Sequence, residues 1–281
     1  MIRALKSSFF RFYKTGALYL TLAGSVAFAV LVSLYVYADY YAFYAFKRPR
    51  FLDNGFVLMC LNALLYVMPF AIAVFCVLFT GTDLEYRSVN NKITTGISRI
   101  QIYCADLTVS ILASLISCAI QEGIIFLIVK FWAVKSTIRF DTYLIGMMIT
   151  IVIICISFAA LYTFFQYFAS NKLLALVITL MIIPCVMICS SLISADLKEP
   201  YRTLAYVEET GETEWRLNPN YVSGTKREIY TFIIEASPYS DDEDFYNNTK
   251  KNLGKQTAAA AVVFVLSTAA GFVSISKKEF P

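Results

Sequence analysis

The sequence predicts an all-α polytopic membrane protein with six transmembrane helices. Three observations predict it. Hydrophobic residues make up 58% of the 281-residue chain and charged residues 16%, against roughly 45–50% and about 25% in soluble domains. Mean hydropathy is +0.64, an excess that one water-soluble core of this size cannot hide. Six separate runs, 17–38, 56–79, 107–129, 143–168, 173–195 and 257–276, are each long enough to cross about 30 Å of hydrocarbon as a helix. An aromatic content of 16% suits a chain with many membrane–water interfaces. The absence of His excludes His-based general bases, catalytic triads and nearly every zinc site.

Residues 1–16 place Arg3, Lys6, Arg11 and Lys14 among Leu5, Phe9, Phe12 and Tyr13. The apolar set follows i, i+4, i+7, i+8, the pattern of an amphipathic helix lying in the membrane interface. The competing reading is a frayed basic tail. The first span is too long for a signal-peptide apolar core, so it is expected to be retained. Pro69 and Pro184 fall inside the second and fifth spans. Each removes a backbone hydrogen bond and kinks its helix unless a neighbour re-satisfies the carbonyl. Small residues four apart, Ala23/Ala27, Ser25/Ala29 and Ser267/Gly271, allow close helix approach. The seven cysteines lie in or beside apolar runs and read as buried small hydrophobes.

Polar side chains inside the spans are few: Asn62, Gln121, Glu122 and Gln166. Glu122 reads as the one ionisable residue well inside a span. An acid at depth costs several kcal/mol unless paired, protonated or facing water. Three readings stay open, one of them that the true edge of span three comes earlier and leaves Glu122 near its end. Asn62, Gln121 and Glu122 line a substrate path or a subunit contact, or Glu122 pairs with Gln121 or Lys130.

Six spans put both termini on one side. Placing them in the cytoplasm gives ten Lys/Arg to the inner segments and six to the two short outer loops, the direction of the positive-inside rule. Residues 196–256 then form a large extracellular region between spans five and six, with twelve acidic and eight basic residues. Within it, Thr225 and Glu228 suit a capping box before Ile229, Phe232, Ile233 and Ala236, with Pro238 as a stop. This predicts an amphipathic helix, with a strand as the alternative because Ile, Tyr, Thr and Phe favour strands. Asp241, Asp242, Glu243 and Asp244 read as a solvated loop, and no metal site is expected. Residues 257–281 hold the last span and a basic tail.

The segment 80–106 is the polar insert between spans two and three. Thr82 and Glu85 suit a capping box, Gly96 a helix end and Ser98 a second cap. Residues 82–94 therefore predict a short charged helix on the membrane surface, either a solvated connector or a docking element. The order of an acid, Tyr86, Arg87, Asn91-Lys92, Gly96-Ile97-Ser98-Arg99 and Ile102-Tyr103 resembles ABC-2 type permeases, the six-helix membrane subunits of ATP-binding-cassette exporters. The basic start, the large outer region and the tail Ser276-Lys277-Lys278 agree in layout. So does the outer stretch Asn218 to Arg227 with Ala236-Ser237-Pro238. Two positions depart from the family: Ser88-Val89 stands where Gly-Thr is common, and Asp106 where a Lys often begins span three.

The resemblance implies a cytoplasmic coupling helix that docks on a separate ATPase chain. Asp83, Glu85, Tyr86, Arg87, Asn91, Lys92 and Arg99 are the coupling candidates. It also implies a second permease subunit, identical or related, in a plasma membrane. ATP and Mg would sit on the partner ATPase, since no Gly-x-x-x-x-Gly-Lys-Ser/Thr loop occurs here. The chain is read as a transport subunit with no catalytic residue and no nucleic-acid partner. Few polar lining residues suggest an amphiphilic cargo such as a peptide, lipid or drug. The alternatives are an ATP-independent secondary transporter using Glu122, and a peptide-binding sensor or immunity protein.

Overall fold

The structure is a computed structural model that describes residues 2–44, 51–52, 54–85, 88–132, 135–136, 138–169, 171–207, 212–239 and 252–277. Tyr86 and Arg87 lie outside the described residues, as do the acidic run 241–244 and the end of the tail. Six helices are long and apolar enough to cross a membrane. The chain divides into two compact units, one of residues 1–183 and 257–281, the other of residues 184–256.

The larger unit begins with α1, Ile2–Lys14, and α2, Gly16–Tyr44. Thr15 separates them. Its hydroxyl accepts from the Ala17 amide at 3.4 Å and its carbonyl from the Leu18 amide at 3.3 Å, which serves the otherwise unpaired amides of the first turn of α2. After β1, Phe51–Leu52, comes α3, Asn54–Cys76, which runs on through Pro69. A π-helical turn, Val77–Gly81, then joins it to α4, Thr82–Glu85. Thr82 is therefore not a cap. It has helical dihedrals, and its hydroxyl donates back to the Leu78 carbonyl at 2.7 Å. Among the described residues of 82–94, Thr82–Glu85 continues the helix of span two as α4, and α5 covers Ser88–Thr94.

Gly96 ends α5 with φ +84°. The Gly96 amide donates to the Ile93 carbonyl at 2.9 Å and the Ile97 amide to the Lys92 carbonyl at 3.1 Å. This is a Schellman ending, and only a residue without Cβ takes that φ freely. Ser98 Oγ then accepts from the Gln101 amide at 3.4 Å as α6, Arg99–Trp132, begins. Eight residues ahead of its sequence-read edge, α6 is 34 residues long. At 1.5 Å per residue that is roughly 51 Å, well beyond the hydrocarbon thickness. Ile100 in its first turn is exposed, and protein cover begins at Ile102, Tyr103, Ala105 and Asp106.

β2, Lys135–Ser136, pairs in parallel with β1. Beside it, Asn54 Nδ2 donates to the Arg139 carbonyl at 2.7 Å, and the Arg139 amide returns a bond to Asn54 Oδ1 at 2.9 Å. Asp141 caps α7, Thr142–Phe168, by accepting from the Leu144 amide at 2.8 Å. These contacts close the end of the bundle opposite the 80–106 segment. α2, α3, α6 and α7 pack around the core, which includes Phe56, Leu61, Leu64, Met68 and Phe75. α8, Lys172–Lys198, and α10, Leu253–Lys277, leave most of their surface open. Cys185 and Cys189 on α8 are exposed, against the expectation that all cysteines are buried. Apolar side chains there need no protein cover if lipid is the solvent. Gly271 on α10 admits Tyr103 of α6 so closely that a Cβ at 271 would overlap the tyrosine ring and hydroxyl.

The smaller unit holds the end of α8, an antiparallel hairpin of β3, Arg202–Val207, and β4, Glu212–Leu217, and α9, Gly224–Ala236. The segment read as helix or strand is a helix. Ser223 is its N-cap and makes no side-chain capping bond, so the Thr225–Glu228 box does not form at that place. Asn218 ties the hairpin down, donating to Glu199 Oε2 at 2.7 Å and to the Pro200 carbonyl at 3.1 Å. Arg227 Nη2 reaches the Leu197 carbonyl at 3.2 Å. The hairpin was not read from the sequence.

Candidate functional site

A buried cluster of charge lies where the 80–106 segment meets the bundle. Asp106 on α6 is fully buried. Its Oδ1 accepts from Ser8 Oγ of α1 at 3.0 Å, and its Oδ2 from the Tyr167 hydroxyl of α7 at 2.6 Å. Arg11 Nη2 stands 3.8 Å from the same Oδ1. Asp83 on α4 is also buried. It pairs with Arg11 through Nη1, with Lys92 Nζ of α5 at 2.8 Å, and with Ser88 Oγ of α5 at 2.7 Å. Arg11 bridges the two aspartates, and its guanidinium lies 4.0 Å from the centre of the Phe79 ring. Phe12 fixes α1 from the next position, edge-on to Phe75 at 5.9 Å.

Two carboxylates meet two cations, so the cluster is formally neutral. Removing such groups from water is costly, and mutual attraction offsets it only when the remaining hydrogen-bonding positions are also filled. Ser8, Ser88 and Tyr167 fill positions on the two carboxylates, whereas Arg11 Nε, Nη1 and Nη2 have no hydrogen-bond partner among the described residues. Burial still pulls the Arg11 guanidinium below its usual pKa, with Asp106 and Tyr167 opposing. Burial lowers the Lys92 ammonium too; Asp106 opposes and Arg11 adds to the shift. Both cations are thus held at a cost by the carboxylates they face.

The cluster changes where the sequence-predicted residues stand. Asp83 and Lys92 point into the protein and hold α4 to α5. Glu85, half exposed, pairs with Lys172 at the start of α8 at 3.0 Å. Asn91 is exposed on α5. Arg99 donates through Nη1 to the Ser276 carbonyl near the end of α10 at 3.3 Å, a favourable place for a cation at a helix C-terminus. Tyr86 and Arg87 lie outside the described residues. Sequence reading missed Ser8, Arg11, Asp106 and Tyr167 as members. The available signal was Asp106 itself, an acid at the threshold of an apolar run. Asp106 lies two turns into α6, which begins at Arg99, and is buried in protein.

The second predicted group, Asn62 on α3 and Gln121 and Glu122 on α6, is buried. Glu122 Oε1 takes the Cys118 thiol one turn back, at 3.6 Å. Neither amide atom of Gln121 has a hydrogen-bond partner among the described residues, so it does not pair with Glu122. Asp106, Ser110, Ser114, Ser117 and Gln121 are all buried, and at 100° per residue they share about an 80° arc of α6. A polar stripe thus runs along α6 from the charged cluster toward Gln121. Among the described residues no group of His, Cys, Asp and Glu could hold a metal ion.

No protein-family model and no curated protein matches this chain.

Proposed function

We propose that the chain is the permease subunit of an ATP-driven exporter, with ATP hydrolysed on a separate subunit docked at the 80–106 segment. One observation carries this reading: Asp83 joins that segment to the rest of the bundle. A partner pressing on α5 would displace Lys92 and Ser88, and both hold Asp83. Asp83 would pass the displacement to Arg11 on α1 and through it to Asp106 on α6. The π-helical turn above α4 supplies the joint, since such turns depart from regular helix geometry and recur at functional sites. Glu85, Asn91 and the predicted Tyr86 and Arg87 are the groups for the partner's surface, while Asp83 and Lys92 transmit. A second permease subunit and an amphiphilic cargo complete the reading. Pull-down of an ATPase with the intact chain, and loss of ATP-driven flux on Glu85→Lys with membrane insertion intact, are the expected results. Flux from the purified chain without any ATPase would overturn it.

The second reading, an ATP-independent transporter, draws on the buried Glu122 and its partnerless neighbour Gln121. It requires ion-gradient-driven flux that Glu122→Gln abolishes.

A further inference from the structure

We infer that the outward face of α1 is a docking surface for anionic phospholipid headgroups, tied mechanically to the aspartate cluster on its other face. The inference needs the membrane location alone and is independent of the ATPase reading. α1 has two faces of different chemistry. Ala4, Ser8 and Phe12, one turn apart, are buried, and Arg11 beside them reaches Asp83 and Asp106. On the opposite side, Ile2, Phe10 and Tyr13 are exposed together with Arg3, Lys6 and Lys14. At 100° per residue these six share about 120°, with Ile2 and Tyr13 at one edge, Arg3 and Lys14 at the other, and Lys6 and Phe10 between them.

Three features select anionic lipid for this face. α1 contains no acidic residue, and among the described residues Arg3, Lys6 and Lys14 enter no ion pair. A single residue, Thr15, separates α1 from the first span, which holds the helix at headgroup depth. Aromatic and aliphatic side chains that share one face with cations match a surface that is apolar below and phosphate-rich above, where each Lys or Arg adds to attraction for an anionic leaflet. Lys14 already lies over the Phe10 ring at 4.4 Å, leaving its ammonium at the rim. Because Arg11 projects from the same rigid helix into the cluster, headgroup contact restrains Asp83 and Asp106 as well.

The test uses the full chain in nanodiscs of phosphatidylcholine, with or without phosphatidylglycerol. The indole introduced by Phe10→Trp reports depth through quenching by brominated acyl chains, after subtraction of the parent signal from Trp132 and Trp215. Quenching is expected to rise severalfold with phosphatidylglycerol. That rise should vanish when Arg3, Lys6 and Lys14 are all replaced by Gln, and survive their replacement by the other cation. Phosphatidylglycerol should also raise Tm. Arg11→Gln should abolish that rise and leave the quenching, since the helix still binds but no longer pulls on the cluster. Equal quenching in both lipids overturns the proposal. So does inorganic phosphate reproducing the effect in neutral discs, which marks a free-anion site. Burial of the indole only after a copurified protein is added assigns the face to a protein partner and also overturns it. An undiminished Tm rise in Arg11→Gln overturns the mechanical tie.

Discussion

The Tyr167 hydroxyl donates to Asp106 Oδ2 at 2.6 Å, joining α7 to α6 at a point where neither residue meets solvent. Ser8 takes the other oxygen of the same carboxylate, so three helices converge on one acid. Tyr167→Phe leaves that oxygen short of a buried donor and should cost about 1–3 kcal/mol. Asp106→Ala leaves Arg11 under-compensated and should cost about 3–5 kcal/mol. Unfolding in denaturant, followed by the loss of native signal in detergent, measures both. Equal stability of all three proteins would show that the cluster does not hold the bundle.

Lys92 makes stability depend on alkaline pH. Burial holds its ammonium below the usual 10.5, so in the window just beneath 10.5 the unfolded chain binds a proton that the folded chain has released. Stability therefore rises with pH through that window and levels off above it. Lys92→Gln should be less stable near neutrality, because Asp83 loses a cation, and should lack that rise. Tm measured from neutral pH to 10.5 for both proteins checks the sign.

Glu85 and Lys172 offer the contrasting case. Their ion pair is largely solvated, so Glu85→Gln should change stability by less than about 1 kcal/mol. If Glu85 faces the ATPase, coupled transport should nevertheless fall. Parallel Tm and flux measurements separate the two effects.

Gly271 faces Tyr103 across a contact with no room for a methyl group. Gly271→Ala should therefore destabilise by roughly 1–3 kcal/mol through overpacking. Tyr103→Leu should restore part of that loss, because it removes the ring atoms that a Cβ would meet. A double-mutant cycle in Tm would show the coupling, and additive effects would refute it.

Gln121 buries an amide with no partner among the described residues. Gln121→Leu should be neutral or stabilising if the site is dry, since replacing an unpaired polar group with a similar apolar one removes a desolvation cost. A marked loss of transport with unchanged Tm would place the amide on a cargo or ion path.

The sequence alone determined the number and approximate position of the six helices long and apolar enough to cross a membrane. Lipid imposes one requirement, a long apolar helix, and composition records it directly. It also marked the region around 80–106 as the polar insert between spans two and three, because charge is scarce elsewhere near the spans. Helix edges were a different matter. Hydropathy begins span three at 107, whereas α6 begins at Arg99, and α1 and α7 meet its second turn at Asp106. Asp106 therefore read as a residue at the threshold and is in fact buried. The β3–β4 hairpin had a local trace in Thr203, Tyr206, Val207, Thr213 and Trp215, residue types that favour strands, yet its register depends on pairing across the turn. Arg11 lay among four basic residues of α1 that no local pattern could tell apart. Three of them face outward and one turns inward, and only the positions of Asp83 and Asp106, brought beside α1 by helices distant in sequence, decided which. Charge pairing in a low-dielectric interior is set by three-dimensional neighbours, and periodicity carries no record of them.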